Sequence, residues 1–161
     1  MTIDEVFQAV ELPPSGPLPW DCEIGELGAG VYVAVAKDSL MECPLCPIKT
    51  EKLDSIDVEL EKLLWVPGER ILYIGQTTQS LRTRIRAMFR HDYVTGGNHH
   101  GGKSVHLLRS EIGLTVYWAC DGDPEWSEAR MLLSFLRRVG RLPFANRELP
   151  ERAHLRRAKK V

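Results

Sequence analysis

The sequence predicts an α/β (α+β) fold in which helices flank a small central three-stranded sheet, mixed or antiparallel. Three short segments rich in β-branched and aromatic residues predict the strands. Three segments with apolar residues at helical spacing alternate with them. With 161 residues and 43% hydrophobic content, the chain is sized for one core, so we expect a single domain over residues 1–161.

The first elements lie in the N-terminal part of the chain. Residues 1–27 are proline-rich and predict mainly loops, with at most a helical turn in EVFQAV. GVYVAVA, from Gly30 to Ala36, alternates valine with tyrosine and alanine, which is the period of a strand with two different faces. Residues 37–69 predict an insertion made of a cysteine-containing loop, MECPLCPIK, and an acidic amphipathic helix over residues 51–65. The apolar positions of this helix are Leu53, Ile56, Leu60, Leu63 and Leu64.

The remaining elements follow in the second half. ILYIG predicts the second strand, and the polar QTTQS leads into an arginine-rich helix with Ser80 or a nearby threonine as N-cap. HDYVTGGNHHGGKS is rich in glycine and predicts a mobile loop, whereas LTVYWAC predicts the third strand. The last helix has Asp123 as N-cap and Pro124 at its first position, and it ends at Gly140. Residues 148–161 form a basic tail.

Charge is unevenly distributed along the chain. Residues 1–70 contain 5 Lys/Arg and 14 Asp/Glu, whereas residues 71–161 contain 16 and 8. A basic half suits the binding of nucleic-acid phosphates, although the tail by itself is equally consistent with a solvated extension. MTIDEVFQAV carries acids where a secretory signal is basic, and no stretch approaches the length of a membrane span. We therefore expect a cytoplasmic protein without a membrane segment.

Two charged residues occupy positions where apolar ones are expected. Arg84 stands at the margin of the apolar stripe of the arginine-rich helix, where it could simply cover the core edge with its aliphatic stem. Glu128 lies in the middle of the apolar face of the last helix. A buried carboxylate costs several kcal/mol unless it meets a cation, a metal or a water-filled cleft. The dipole of the helix would return only about 0.3–1 kcal/mol.

The order of these motifs resembles that of the GIY-YIG nuclease superfamily. The resemblance covers residues 28–36 and 70–147, and LYIGQTTQSLRTRIRAMF is its most specific part. The matching positions are Gly30, Val31, Tyr32, Tyr73, Ile74, Gly75, Arg84, Glu128 and Asn146, of which Gly30 and Gly75 are the motif glycines.

This resemblance implies a metal-dependent endonuclease that hydrolyses phosphodiester bonds in DNA. Tyr32 and Tyr73 would face one cleft, where one tyrosine helps to deprotonate the attacking water and the other orients it. Arg84 would stabilise charge on the phosphate, and Glu128 would hold Mg²⁺ or Mn²⁺. Asn146 would support the site from the loop after the last helix.

Alternatives to this assignment come from the same residues. Tyrosines in strands commonly serve only as packing. A different alignment places the glutamate position at Leu133, which would make the chain a catalytically inactive nucleic-acid-binding module with a GIY-YIG fold. The candidate nucleic-acid contacts are Arg82, Arg86, Arg90, His99, His100 and Lys103.

The cysteine pair suggests a third function. Cys43 and Cys46 have the spacing of half a zinc site, which would indicate a zinc-stabilised interaction domain. The alternative is a reduced pair in a loop. Residues 51–65 are a candidate surface for a protein partner.

Overall fold

Helices pack on both faces of a four-stranded antiparallel sheet in this mixed α/β structure. The structure is a computed structural model that describes residues 1–19, 25–90 and 100–151, without the side chains of Arg90, His100 and Gly101. The strands are β1 (Ser15–Pro19), β2 (Gly30–Val35), β3 (Ile71–Thr77) and β4 (Thr115–Cys120). The helices of these ranges are α1 (Ile3–Gln8), α2 (Pro47–Thr50), α3 (Ser55–Leu64), α4 (Leu81–Arg90), α5 (His100–His106) and α6 (Pro124–Val139).

The sheet has the strand order β1-β4-β2-β3, and all its pairs are antiparallel. Strands β2, β3 and β4 coincide with the three predicted strands, with β2 between the other two. Tyr32 on β2 lies opposite Gly75 on β3 and Trp118 on β4. β3 is therefore an edge strand, a position that leaves one side of its backbone open to other parts of the chain.

The prediction of three strands is wrong, because β1 adds a fourth at the other edge. β1 contains Pro17 and Pro19, which led us to predict a loop. Proline cannot donate to a ladder, but an edge strand needs backbone donors on one side only. Leu18 accordingly pairs with Val116 of β4.

The helical turn that the sequence allows in EVFQAV forms as α1, which extends over Ile3–Gln8. Thr2 and Glu5 form a capping box that satisfies backbone donors at the start of this helix. Val6 and Phe7 are fully buried and pack against Met131 and Phe135 of α6. Tertiary packing thus stabilises a helix of only six residues, a length at which an isolated helix is unstable.

The core lies on both faces of the sheet because alternate residues of β2 point in opposite directions. Val31, Val33 and Val35 belong to the layer that contains α6. Tyr32 and Ala34 belong to the layer that contains α4, where the buried helix residues are Leu81, Ile85, Met88 and Phe89.

The predicted caps of α4 and α6 are confirmed. The hydroxyl of Ser80 accepts a hydrogen bond from the backbone amide of Thr83 at 3.3 Å. The Asp123 side chain accepts one from the amide of Trp126, and Pro124 is the first residue of α6. Gly140 ends this helix with φ +84°, a left-handed conformation that favours glycine. These local signals place both helices correctly.

In the insertion, the helix predicted over residues 51–65 forms only as α3, and its predicted apolar face is wrong at three positions, while Leu53 and Leu64 pack against the core. Ile56, Leu60 and Leu63 are exposed, whereas Glu61 is buried. The physical reason is that Glu61 pairs with Arg147, a partner far away in the sequence.

The loop predicted for residues 91–104 is wrong over α5, which begins at His100. Val105 and Leu107 are buried there, and the imidazole of His106 is hydrogen-bonded through Nε2 to the carbonyl of Met88 on α4, at 3.0 Å. Contacts with α4 outweigh the low helix propensity of glycine in this segment. The rest of the predicted loop, residues 91–99, lies outside the described residues.

Among the helices that the structure describes, none combines the length and apolar character needed to cross a bilayer.

Replacing Gly30 by alanine should destabilise the protein, since an added Cβ would lie 2.2 Å from the carbonyl oxygen of Ala119 and 2.7 Å from Cδ1 of Leu81. We expect a loss of about 1–3 kcal/mol in the free energy of unfolding, measured by urea denaturation. Gly28→Ala is the matched control, because a Cβ there meets nothing within 4 Å. Equal stability of the two variants would contradict this account of Gly30.

Candidate active site

Two tyrosines lie over the middle of β3. The ring centroids of Tyr32 and Tyr73 are 5.9 Å apart, and both side chains are buried. A Cβ on Gly75 would come within 2.5 Å of Cε1 of Tyr73 and 2.8 Å of Cζ of Tyr32. The motif glycine is therefore needed because both rings cover its backbone.

Arg84 serves as the common cation of the site. It lies one turn into α4, where its backbone amide donates to the carbonyl of Ser80 at 3.0 Å. Its guanidinium is within hydrogen-bonding reach of the Tyr32 hydroxyl. Its charge also acts on Tyr73 and Glu128, lowering the pKa of each relative to burial alone. Four of the five predicted catalytic residues are thus electrostatically coupled.

Burial dominates the protonation of the tyrosines. Desolvation raises the pKa of Tyr32 well above its ordinary value, with a further increase from Tyr73 that Arg84 opposes. Desolvation likewise raises the pKa of Tyr73 to about 12, with a further increase from the Glu128 carboxylate that Arg84 and a hydrogen bond from Tyr32 oppose. Both hydroxyls are therefore protonated at neutral pH and available as hydrogen-bond donors.

Glu128, on α6, is close enough to Tyr73 for its carboxylate to raise the pKa of that tyrosine. Burial raises the pKa of its carboxyl to about 7; Arg84 opposes this increase, and Glu125 adds to it. The single guanidinium thus does not offset the cost of desolvation. Leu133, the alternative glutamate position, lines a groove with Arg130 and Arg137 that does not include Arg84.

Asn146 contacts the backbone of β3 next to Tyr73. Its Oδ1 accepts a hydrogen bond from the amide of Ile74 at 2.9 Å, and its Nδ2 donates to the carbonyl of Ile74 at 2.8 Å. Ile74 stands between Tyr73 and Gly75 in the sequence, so Asn146 fixes the backbone that carries both. This position suits a supporting residue.

Sequence reasoning missed Gln76. A cleft of about 340 Å³ is lined by Gln76, Arg84 and the hydroxyl side chains of the β3–α4 turn. Within the described part of the chain, Oε1 of Gln76 is buried without a hydrogen-bond partner. An unsatisfied buried acceptor costs about 1–3 kcal/mol, which a bound donor would recover. The sequence offers one indication of Gln76, which is that it directly follows the motif glycine Gly75.

The predicted nucleic-acid contacts are only partly described. Arg82 is partly exposed and lies 3.6 Å from the carboxylate of Glu26. Arg86 is partly exposed on α4, and Lys103 is partly exposed on α5. The side chains of Arg90 and His100, and the whole of His99, lie outside the described residues.

Two side chains associated with Arg84 carry oxygen ligands that fit a hard divalent cation: Arg84 lines the cleft with Gln76 and acts electrostatically on Glu128. The Glu128 carboxylate and the Gln76 carbonyl are oxygen ligands of the kind that Mg²⁺ and Mn²⁺ accept, and Mg²⁺ often uses one protein carboxylate together with water and phosphate. In the described ranges, no three His, Cys, Asp or Glu side chains are grouped as metal ligands. Such a cation would therefore depend on Glu128, water and substrate.

The cysteine pair occupies a folded turn of the insertion. The amide of Cys46 donates to the carbonyl of Leu107 at 2.8 Å, next to the bridge between Leu45 and Leu108. Burial raises the pKa of the Cys43 thiol to about 12; Glu61 adds to this increase, and Lys62 opposes it. No third metal-binding side chain joins the pair among the residues described. A structural zinc here stays a prediction.

Comparison with protein-family models, with curated protein sequences and with solved structures returned no match. The functional argument for this chain rests on its own residues and their geometry.

Glu128 should make the free energy of unfolding decrease as pH rises, which is the opposite of the usual effect of a carboxylate in a folded protein. Its folded-state pKa of about 7 lies above the ordinary 4.5, so the folded protein binds more protons than the unfolded chain between these values. The free energy of unfolding should therefore fall as pH rises from 5 to 8, by about 2 kcal/mol relative to Glu128→Gln. Urea denaturation of both proteins at the two pH values measures the difference.

The same experiment with Mg²⁺ supplies the control. At pH 8, Mg²⁺ should stabilise the wild type more than Glu128→Gln, since it binds the folded carboxylate. Parallel pH profiles for the two proteins would contradict a raised pKa at Glu128.

Proposed function

We propose that this chain is a cytoplasmic, metal-dependent endonuclease of the GIY-YIG type that hydrolyses phosphodiester bonds in DNA. The observation that carries the proposal is the electrostatic coupling of Arg84 to Glu128 and to two buried tyrosines, together with the open cleft that Arg84 lines. A carboxylate with a pKa near neutrality in such a setting is typical of functional sites. If position 128 served only to pack the core, an apolar side chain would be more favourable there, because it avoids the cost of desolvating a carboxylate.

Arg84 is the residue that would bind the scissile phosphate. It lines the cleft, and its planar guanidinium can donate two hydrogen bonds to adjacent phosphate oxygens. Donors that are already oriented stabilise the negative charge that builds up in the transition state. The guanidinium also interacts with Tyr32, which would help to position it.

The tyrosines would act on the attacking water. Tyr73 interacts with Glu128, so its hydroxyl is the one on the side of the carboxylate. We assign Tyr73 to contact the water and Tyr32 to position Tyr73 and Arg84. The water oxygen forms the new bond to phosphorus and its proton passes to a solvent water molecule, because both tyrosine hydroxyls are already protonated and Glu128 would hold the cation. The bond from phosphorus to the departing sugar oxygen breaks, and that oxygen takes up a proton from solvent.

Glu128 would hold the cation through its carboxylate, and Gln76 lines the cleft together with Arg84. When bound, Mg²⁺ or Mn²⁺ supplies positive charge against the phosphate oxygens. Glu128 must be ionised to bind a cation, so its affinity for the metal increases with pH through about 7. The buried acceptor of Gln76 is suited to a hydrogen bond from a bound water or substrate.

Cleavage assays of supercoiled plasmid and branched oligonucleotides with Mg²⁺ or Mn²⁺ test this assignment. Arg84→Ala, Glu128→Gln and Tyr73→Phe should each lower the cleavage rate by about 10²–10³-fold, because each removes a group that acts on the transition state. Arg137→Ala is the matched control on the exposed part of α6, and it should cut at the wild-type rate.

DNA binding measured in parallel separates the outcomes. Glu128→Gln should still bind DNA, since the change removes a negative charge near the phosphate. A wild type that binds but never cuts, with either cation, would refute the nuclease and identify a binding module. Equal rates for Arg84→Ala and Arg137→Ala would refute this site.

The salt dependence of DNA binding tests the arginines of α4. If Arg86 contacts a phosphate, Arg86→Ala should reduce the slope of log K against log salt by about 0.9. Arg137→Ala should leave the slope unchanged. An unchanged slope for Arg86→Ala would instead assign Arg86 to a role within the protein.

A further inference from the structure

The large exposed apolar side chains of the described residues are confined to the insertion. They are Met41, Ile48, Ile56, Leu60 and Leu63, with exposed fractions of 72%, 77%, 70%, 50% and 67%. Single exposed apolar residues are ordinary on protein surfaces, but a cluster within one short segment indicates an interaction site.

Three of these residues form a stripe on α3. Ile56, Leu60 and Leu63 are spaced at i, i+4 and i+7, so they lie on one side of the helix. This is the spacing through which one helix packs against another. We call Ile56, Leu60 and Leu63 the outer stripe of α3.

The orientation of α3 is fixed by polar contacts on its inner side. The Glu61 carboxylate accepts hydrogen bonds from Arg147 and from Ser104, and Arg147 donates to Ser104 at 2.6 Å. Arg141 donates to the backbone carbonyls of Leu63 and Trp65 at the end of the helix. The fold thus keeps a carboxylate inside and the outer stripe in solvent.

Charge around the stripe selects its occupant. Glu51, Asp54 and Asp57 are exposed, and none has an ion-pair partner among the residues that the structure describes. Glu59, beside the stripe, is paired with Lys62 at 2.7 Å. Four exposed acids thus outnumber two exposed bases, Lys52 and Lys62, over residues 51–63. The surface is apolar with a net acidic border, which complements an apolar segment bordered by lysine or arginine.

A second copy of the chain fits this surface poorly. An antiparallel pairing of two α3 helices about Leu60 would place Glu59 beside Glu59 of the other copy, because each side of the helix then faces itself. A parallel pairing would place Glu59 near Asp57. Like charges at such positions disfavour a second copy, whereas a segment bordered by basic residues meets opposite charge at Asp57.

We propose that the outer stripe of α3 docks an amphipathic helix of a partner protein, with apolar residues on one face and basic residues along its borders. This interaction is separate from the proposed nuclease activity. It does not use Tyr32, Arg84 or Glu128.

The full chain should first be examined by sedimentation velocity and then titrated into a fluorescent helical peptide. The peptide contains only leucine and lysine, about 20 residues in heptads with leucine at the core positions. We expect a monomer at ~100 μM and a Kd in the micromolar range by fluorescence anisotropy. The double variant Ile56→Ser/Leu60→Ser should bind at least about tenfold more weakly. Its melting temperature should be unchanged, because the replaced side chains are exposed.

Charge variants and a second peptide complete the test. Asp57→Asn should weaken binding, whereas Asp4→Asn, an exposed acid on α1, should not. A peptide with glutamate in place of lysine should bind at least about tenfold more weakly. Self-association abolished by the double variant would overturn the proposal in favour of a second copy. Absence of peptide binding, or binding that the double variant leaves intact, would overturn it outright.

Discussion

The candidate site depends on how the outer edge of β3 is satisfied. Asn146 bonds both the amide and the carbonyl of Ile74, and the amide of Ala145 donates to the carbonyl of Leu72 at 2.8 Å. Backbone groups of alternate residues point to the same side of a strand. The backbone amide and carbonyl of Gln76 therefore point to the outer edge of β3, as those of Ile74 do. The edge is covered up to Ile74 and the cleft begins at Gln76. The segment that covers it is itself anchored, because the buried ring of Phe144 packs edge-on against Trp65 with centroids 5.2 Å apart.

Electrostatic interactions with Arg84, together with burial, determine the protonation of the candidate site residues once β3 is in place. Arg84 is the one cation among the described residues that acts on Tyr32, Tyr73 and Glu128, and burial outweighs its effect on all three. The ionised carboxylate is therefore unfavourable in the protein alone. Proteins retain such unfavourable groups where function needs them, and a cation bound by the proposed site would offset the cost of ionising Glu128. The buried Oε1 of Gln76, which has no hydrogen-bond partner among the described residues, is a second unfavourable polar group near Arg84.

The sequence predicted what local signals determine. Strands β2 to β4 have alternating or apolar patterns, and α6 carries its own cap at Asp123 and its own end at Gly140. Arg84 and Glu128 could be singled out because a charge on an apolar face is visible in a helical wheel. Strand β1 could not be predicted, since its prolines are acceptable only at the edge of a sheet that forms from distant segments. Gln76 was missed because its burial without a partner is a property of the folded cleft, whereas an uncharged residue after a glycine carries no signal.

The orientation of α3 shows the same limit and links the two proposed surfaces. Its sequence pattern favours burying Ile56 and Leu60, and only the distant Arg147 and Ser104 make burial of Glu61 the better solution. Removing either partner alone would leave a buried charge uncompensated, so the pair enforces one rotation of the helix. Arg147 directly follows Asn146, which holds β3. The contact that turns the outer stripe of α3 to solvent and the contact that positions β3 therefore belong to one short segment of chain.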